Sequence, residues 1–189
     1  GVNTGFAVNR YPQASEWINV IKESKLKKIQ ITADIIDPRN PVSFIKKEIE
    51  YINEIKNSGG PEVVSAFTGS FTRLNLFGHP DESVREYWIN WYKNFIDVAS
   101  KIGAKSIGGH LSIISLQDDK QESIRNERLD YIISKWVYLS KFAEDKGIPT
   151  MIWEPMSISR EFGETIKSAE YIQNKFDDLS DGKIKMCFD

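Results

Sequence analysis

The sequence predicts an α/β fold with a parallel sheet, namely about the first six strands of a (β/α)8 TIM barrel. Six short apolar segments alternate with five amphipathic helices, and this alternation produces parallel strands joined by right-handed crossovers. No glycine-rich phosphate loop follows the first apolar segment, which disfavours a doubly wound open sheet. Polar residues instead end several different strands, as they do at the mouth of a barrel. These residues are Asp34, His110, Glu154 and Asp189.

The predicted strands are short, apolar and rich in β-branched residues. They cover residues 2–8, 29–36, 63–67, 105–110, 150–154 and 184–188. The clearest predicted helix follows Asp81 and carries one apolar stripe, made of Val84, Trp88, Trp91, Phe95, Val98 and Ile102. Such spacing is typical of core packing rather than of a cofactor site. No linker divides the chain, so residues 1–189 are predicted to form a single, partial barrel domain.

Composition excludes several classes of function. The 189 residues are 40% hydrophobic and 28% charged, as in a soluble globular protein. A net charge of −2 gives no basic surface for nucleic acid or for an acidic membrane. No apolar run approaches membrane-spanning length. The single cysteine cannot form an internal disulfide, which favours the reducing cytoplasm.

Two predicted strands end in carboxylates. In residues 150–156, the predicted strand ends at Glu154, because the next residue, Pro155, lacks the N–H needed to continue a strand ladder. The last predicted strand leads directly into Asp189. Two acids on nearby strands could bind a divalent cation, although capping of helix N-termini or pairing with an arginine explains their positions equally well. Trp153 and Phe188 precede the two acids and are predicted to wall a sugar-sized pocket.

The motifs around these acids resemble those of the xylose-isomerase-like TIM barrels, a superfamily of sugar and sugar-phosphate isomerases and epimerases. The resemblance is carried by WEPM followed by SISREF, by MCFD, by the opening GVNTGFAVNRY and by GGHLS. It implies a divalent metal ion (Mn, Mg, Co or Zn) held by Glu, Asp, His and Glu from strands five to eight. Glu154 matches the first ligand and Asp189 the second, and the other two have no counterpart in these residues.

The chemistry of that superfamily accounts for this layout. The α-proton of a hydroxy-ketone is too weakly acidic for a carboxylate to remove unaided, and a cation on the carbonyl oxygen stabilises the enediolate. Carboxylates then remove and return the proton. The resemblance therefore implies an isomerase or epimerase of a small ketose or ketose phosphate, with Glu154 as both ligand and acid/base.

Two other functions remain open for the same fold. An apurinic-site endonuclease-like barrel would need many histidines and a basic groove, whereas the chain has two histidines and a net charge of −2. A carbohydrate-binding barrel without catalysis is disfavoured by the retained Glu154 and Asp189.

Three further residues are candidates for substrate binding. His110 is expected to hydrogen-bond a substrate oxygen, or else to be satisfied by neighbouring backbone. Arg160 could grip a distal hydroxyl or phosphate, although a salt bridge to Glu161 or Glu164 is the commoner arrangement. Phe6, like Trp153, could stack on a sugar or simply pack at the barrel rim.

The remaining polar positions favour structural roles. Asp34 either contacts a substrate hydroxyl or stabilises the rim of the barrel. His79 is expected at the surface, and Cys187 inside a strand, in the core.

Six strands do not close a barrel. The first and sixth strands are therefore expected to present open edges, and half of the implied metal ligands are missing. These residues alone are predicted to be inactive and to associate through those edges, for instance as a homo-oligomer.

Overall fold

The computed structural model describes residues 1–73 and 75–188, which form alternating strands and helices. The strands are β1 (Val2–Asn3), β2 (Lys28–Thr32), β3 (Glu62–Phe67), β4 (Ser106–His110), β5 (Thr150–Glu154) and β6 (Ile184–Met186). The α-helices are α1 (Ala14–Glu23), α2 (Val42–Asn57), α3 (Glu82–Lys101), α4 (Leu116–Asp119), α5 (Glu122–Asp145) and α6 (Ile166–Ser180). Two 3₁₀ helices cover Thr4–Ala7 and Ser159–Glu161. No helix in these described ranges is long and apolar enough to cross a membrane.

The six strands form one parallel sheet in the order β1-β2-β3-β4-β5-β6. Strand order thus follows chain order, without the reversal that defines a doubly wound sheet. The predicted fold class, a (β/α)8 barrel represented by six strands, is confirmed. The register pairs His110 with Glu154, so the carboxyl ends of β4 and β5 lie side by side.

The core lies between the sheet and the surrounding helices. Aromatic rings bridge α3, α5, α6 and β5: Tyr92 contacts Trp136, Trp136 contacts Phe176, and Phe176 contacts Trp153, with centroids 5.8, 6.2 and 6.0 Å apart. All four side chains are fully buried. The predicted apolar stripe of α3 is confirmed as core, since its members from Trp91 onward are buried.

The first strand is much shorter than residues 2–8. It ends at Asn3, whose Oδ1 accepts a hydrogen bond from the Gly5 N–H at 2.7 Å and so starts a 3₁₀ turn. Thr4 then accepts a hydrogen bond from the backbone N–H of Thr32 at 2.9 Å. The turn is therefore docked on the end of β2, and the predicted extended conformation is wrong beyond Asn3.

The end of β2 and the presence of α4 differ from the prediction, and the end of β5 agrees with it. Strand β2 ends at Thr32 rather than at residue 36, which leaves Asp34 in the following turn. Helix α4, capped by the Ser115 hydroxyl, was not predicted, because four residues are too few to show helical periodicity. Strand β5 ends at Glu154, directly before Pro155, as predicted.

Candidate active site

A cavity of about 570 Å³ opens at the carboxyl ends of the strands. Its described lining comes from β1 to β5, the loop after β3 and the residues that follow β5 and β6: Asn3, Gly5, Val8, Gln30, Thr32, Asp34, Phe67, Thr68, Gly69, Ser70, Phe71, Arg73, His110, Glu154, Met156, Cys187 and Phe188. Successive side chains of a strand point to opposite faces of the sheet, so the cavity receives alternate residues. The cavity lies where the active sites of βα barrels are found.

Glu154 and His110 lie next to each other in this cavity. The imidazole Nε2 of His110 is 3.4 Å from Oε2 of Glu154, and Nδ1 is 3.5 Å from the Thr68 hydroxyl. Asn75 donates a hydrogen bond to the backbone carbonyl of His110 at 2.6 Å, which fixes the end of β4. The sequence correctly indicated that His110 and Glu154 share the mouth of the barrel.

The imidazole of His110 is neutral near neutral pH. Burial, followed by the positive charge of Arg73, lowers the pKa of His110 from 6.5 to about 4. A neutral imidazole donates from one ring nitrogen and accepts at the other, so His110 can bridge Glu154 and a hydroxyl group.

Asp34 organises the wall of the cavity that follows β3. Its carboxylate accepts hydrogen bonds from the N–H groups of Phe71 and Thr72, both at 3.0 Å, and from the Thr72 hydroxyl at 2.8 Å. Gly69 lies so close to Thr32 and Asp34 that a Cβ would collide with both. The structural role weighed for Asp34 is therefore present, and part of its side chain still lines the cavity.

Trp153 does not wall the cavity, and this prediction is wrong. The indole is fully buried on the helix side of the sheet, where Nε1 donates to Oε1 of Gln173 at 2.9 Å. Neighbouring residues in a strand face opposite sides, so Trp153 cannot face the cavity when Glu154 does. Phe6 also lies outside the cavity lining and packs edge-on against Tyr11, with ring centroids 6.3 Å apart.

Arg160 does not reach the cavity in this structure. Its Nη1 donates to the carbonyl of Ile114 at 3.2 Å, and its own carbonyl accepts from the Ile114 N–H at 3.0 Å. Neither weighed alternative holds, because Glu161 pairs with Arg73 and Glu164 pairs with Arg125. Arg160 ties the loop after β5 to the loop after β4.

Arg73 is a lining residue that the sequence analysis did not single out. It lies in the loop after β3, and its Nη2 contacts both carboxylate oxygens of Glu161 at 3.2 and 3.3 Å. Among the residues described, it is the only lysine or arginine in the lining. The sequence signal was weak, because one arginine in a long polar loop resembles any solvated surface residue.

The end of the described chain closes one side of the cavity. Cys187 was predicted inside a strand and in the core, but it follows β6, is half-buried and lines the cavity. Phe188 lines the cavity with 81% of its surface exposed, as its predicted wall position requires. Asp189, the predicted second metal ligand, lies outside the described residues.

The described residues fit a divalent cation in one respect. Glu154 brings carboxylate oxygens to a half-buried polar cavity, which suits a hard divalent ion. Within residues 1–73 and 75–188, no group of three His, Cys, Asp or Glu side chains is arranged to hold a metal. The predicted pairing of Glu154 with Asp189 therefore stays a prediction.

These features define a partial α/β barrel, and comparison with solved structures confirms the fold. A Rhodospirillum rubrum ATCC 11170 protein provisionally named a xylose isomerase superposes with a TM-score of 0.90 at 22% identity, over 98% of this chain and 64% of that one. A D-psicose 3-epimerase from Clostridium cellulolyticum H10, solved with D-tagatose, gives a TM-score of 0.66 at 14% identity, over 90% of this chain and 55% of that one. No protein-family profile matches the chain.

A similar protein of known activity is D-erythrulose 1-phosphate 3-epimerase of Brucella abortus (strain 2308). It is 34% identical to this chain over 175 residues, which cover 92% of this chain. The chain spans 56% of the length of that relative. The resemblance to xylose-isomerase-like sugar epimerases that the motifs indicated is thus confirmed.

Proposed function

We propose that the protein is an epimerase of a small ketose phosphate and inverts the carbon next to the carbonyl group. The observation that carries this proposal is the carboxylate of Glu154 beside a neutral His110 in a cavity at the barrel mouth. The 34% identity to a ketotetrose-phosphate 3-epimerase supports the substrate class. Epimerase is favoured over isomerase because that relative and the Clostridium cellulolyticum structure both carry the name of a 3-epimerase.

Glu154 is the proposed general base. Its carboxylate takes the α-proton from one face of the substrate, and His110 holds a substrate hydroxyl through its neutral imidazole. A divalent cation, when bound by Glu154 and the predicted ligand Asp189, supplies positive charge that makes the α-proton more acidic. Inversion requires the proton to return on the opposite face, and the resemblance assigns that step to a glutamate of a later strand.

Solvent-deuterium exchange tests this proposal. Full-length protein is incubated in D₂O with ketotetrose 1-phosphates and Mn²⁺, Mg²⁺ or Co²⁺, and deuterium at the α-carbon is followed by NMR. Glu154→Gln is expected to slow exchange by about 10²- to 10⁴-fold, the usual contribution of a general base. The exposed Glu170, changed to Gln in the same way, is the matched control and should leave exchange unchanged. Wild-type protein that exchanges none of these substrates, or full activity in Glu154→Gln, would contradict the proposal.

The competing functions receive no support from the described cavity. Its lining contains one histidine and one arginine among the residues described, which does not suit a multi-histidine zinc site on a DNA-binding groove. Cytoplasmic location and a homo-oligomeric state stay predictions from the sequence.

A further inference from the structure

We propose that Arg73 binds the phosphate group of the substrate and makes the site selective for phosphorylated over unphosphorylated ketoses. This inference rests on the proposed function, because it assigns the part of the cavity that holds the non-reacting end of the substrate. The reacting carbon is then placed at Glu154, and the phosphate is placed by the loop after β3.

The described lining of the cavity contains one side chain, Arg73, that can pair with the negative charge of a phosphate. A phosphate monoester carries roughly −1.5 to −2 charges near neutral pH and needs a cationic hydrogen-bond donor when it leaves water. The described lining contains two carboxylates, Asp34 and Glu154, one imidazole, His110, whose Nε2 contacts Glu154, and one arginine, Arg73. Asp34 is already bonded to backbone N–H groups and a hydroxyl of the loop. Arg73 is therefore the group in this lining that can neutralise a phosphate.

Glu161 holds the guanidinium of Arg73 in place without using all of its donors. The contact to the carboxylate runs through Nη2, and the Glu161 side chain is 6% exposed, whereas that of Arg73 is 34% exposed. The Nε of Arg73 is buried and makes no hydrogen bond within the described residues. A planar guanidinium has five N–H donors and suits phosphate oxygens. Glu161 thus anchors Arg73 through Nη2, and the exposed part of the Arg73 side chain lines the cavity, where a ligand can contact it.

Arg125 shows how a purely structural arginine differs in the same protein. Its guanidinium contacts Asp119, Glu164 and the Ser159 carbonyl and lies over the ring of Phe162. None of these contacts faces the large cavity, and its donors are shared among three acceptors. Within residues 1–73 and 75–188, the side-chain acceptor of Arg73 is the Glu161 carboxylate, and Arg73 lines the cavity.

Arg73 lies in the same cavity as the reacting end, because Arg73, His110 and Glu154 all line it. Because His110 contacts Glu154, the three side chains act on one ligand-sized space. A short ketose phosphate with its α-carbon at Glu154 can therefore place its phosphate by the loop that carries Arg73.

The test compares Arg73→Lys with Arg160→Lys in the full-length protein. Both arginines are half-buried at the rim, but Arg160 donates to the Ile114 carbonyl instead of lining the cavity. Arg73→Lys should raise KM for the phosphorylated ketose about ten- to hundredfold, the range for losing a charge-assisted hydrogen bond, and leave kcat/KM for the unphosphorylated ketose unchanged. Arg160→Lys should change neither. The paired change Arg73→Gln with Glu161→Gln removes the cation without leaving a buried carboxylate unpaired, in case Arg73→Lys folds poorly.

Binding measurements separate this proposal from the proposed function. Titrations with inorganic phosphate, a phosphorylated polyol and the same polyol without phosphate are followed by calorimetry. Phosphate-dependent binding that is lost with Arg73 but kept in Arg160→Lys supports the site even where no epimerisation is found, in which case the proposed function alone fails. Binding that is unchanged by Arg73 substitution, absent phosphate binding, or an equal loss for both kinds of ketose would overturn the proposal.

Discussion

Replacing Trp153 should destabilise the protein without altering substrate recognition. The side chain is fully buried, its ring meets Phe176 edge-on, and its Nε1 donates to Gln173 at 2.9 Å. Trp153→Phe loses this hydrogen bond, about 1 kcal/mol, and opens a void larger than a methyl group, about another 1 kcal/mol. Trp153→Ala should lower the free energy of unfolding by roughly 3–5 kcal/mol. The hydrogen bond that Gln173 donates to the Ile184 carbonyl is kept in both variants.

Urea denaturation followed by circular dichroism measures these losses, and steady-state kinetics measures KM in the same preparations. Phe188→Ala is a control with the reverse expectation, because the side chain is 81% exposed and lines the cavity. Its free energy of unfolding should change by less than about 0.5 kcal/mol, while KM rises. A large rise in KM for Trp153→Phe with an unchanged free energy of unfolding would refute the assignment of Trp153 to the core.

Two further substitutions test the framework around the site. Burial raises the pKa of Glu48 above its ordinary 4.5. Between pH 4.5 and the raised pKa, the folded state therefore binds more protons than the unfolded state. The free energy of unfolding consequently falls as pH rises through this range. Glu48→Gln keeps an acceptor for the Ala14 N–H, so it should raise the free energy of unfolding, measured by urea denaturation, more near neutral pH than below pH 4.5. Equal increases at both pH values would contradict the assignment. A Cβ at Gly108 would collide with the Ile152 carbonyl. Gly108→Ala should therefore lower the free energy of unfolding by about 1–3 kcal/mol and slow turnover, because it pushes β4 away from β5. An unchanged melting temperature would argue against this close approach.

The fold was predictable because its signals are local and repeated. Each helix of three or more turns shows an apolar stripe, and β3 and β5 are short, mostly apolar runs. The 3₁₀ turn at Thr4–Ala7 was not predictable, since it depends on a hydrogen bond between Thr4 and Thr32, which lie far apart in sequence. Helix α4 was missed because it spans one turn only.

The site was predictable where the position along a strand decides the outcome. Glu154 and His110 end adjacent strands, so the parallel register brings them together. The same alternation of side chains along a strand puts Trp153, one residue before Glu154, on the helix side of the sheet. Arg73 could not be found in this way, because its location depends on a tertiary ion pair with Glu161, 88 positions away.

The loop after β5 limits how this barrel could be re-engineered. Through Glu161 it holds the loop after β3, and through the paired backbone and side-chain hydrogen bonds of Arg160 it holds the loop after β4. Grafting any one of these segments from a homologous enzyme would leave a buried carboxylate or a carbonyl without its donor. Chimaeras that exchange all three segments as one block should keep these contacts, whereas single-segment exchanges should lower the melting temperature.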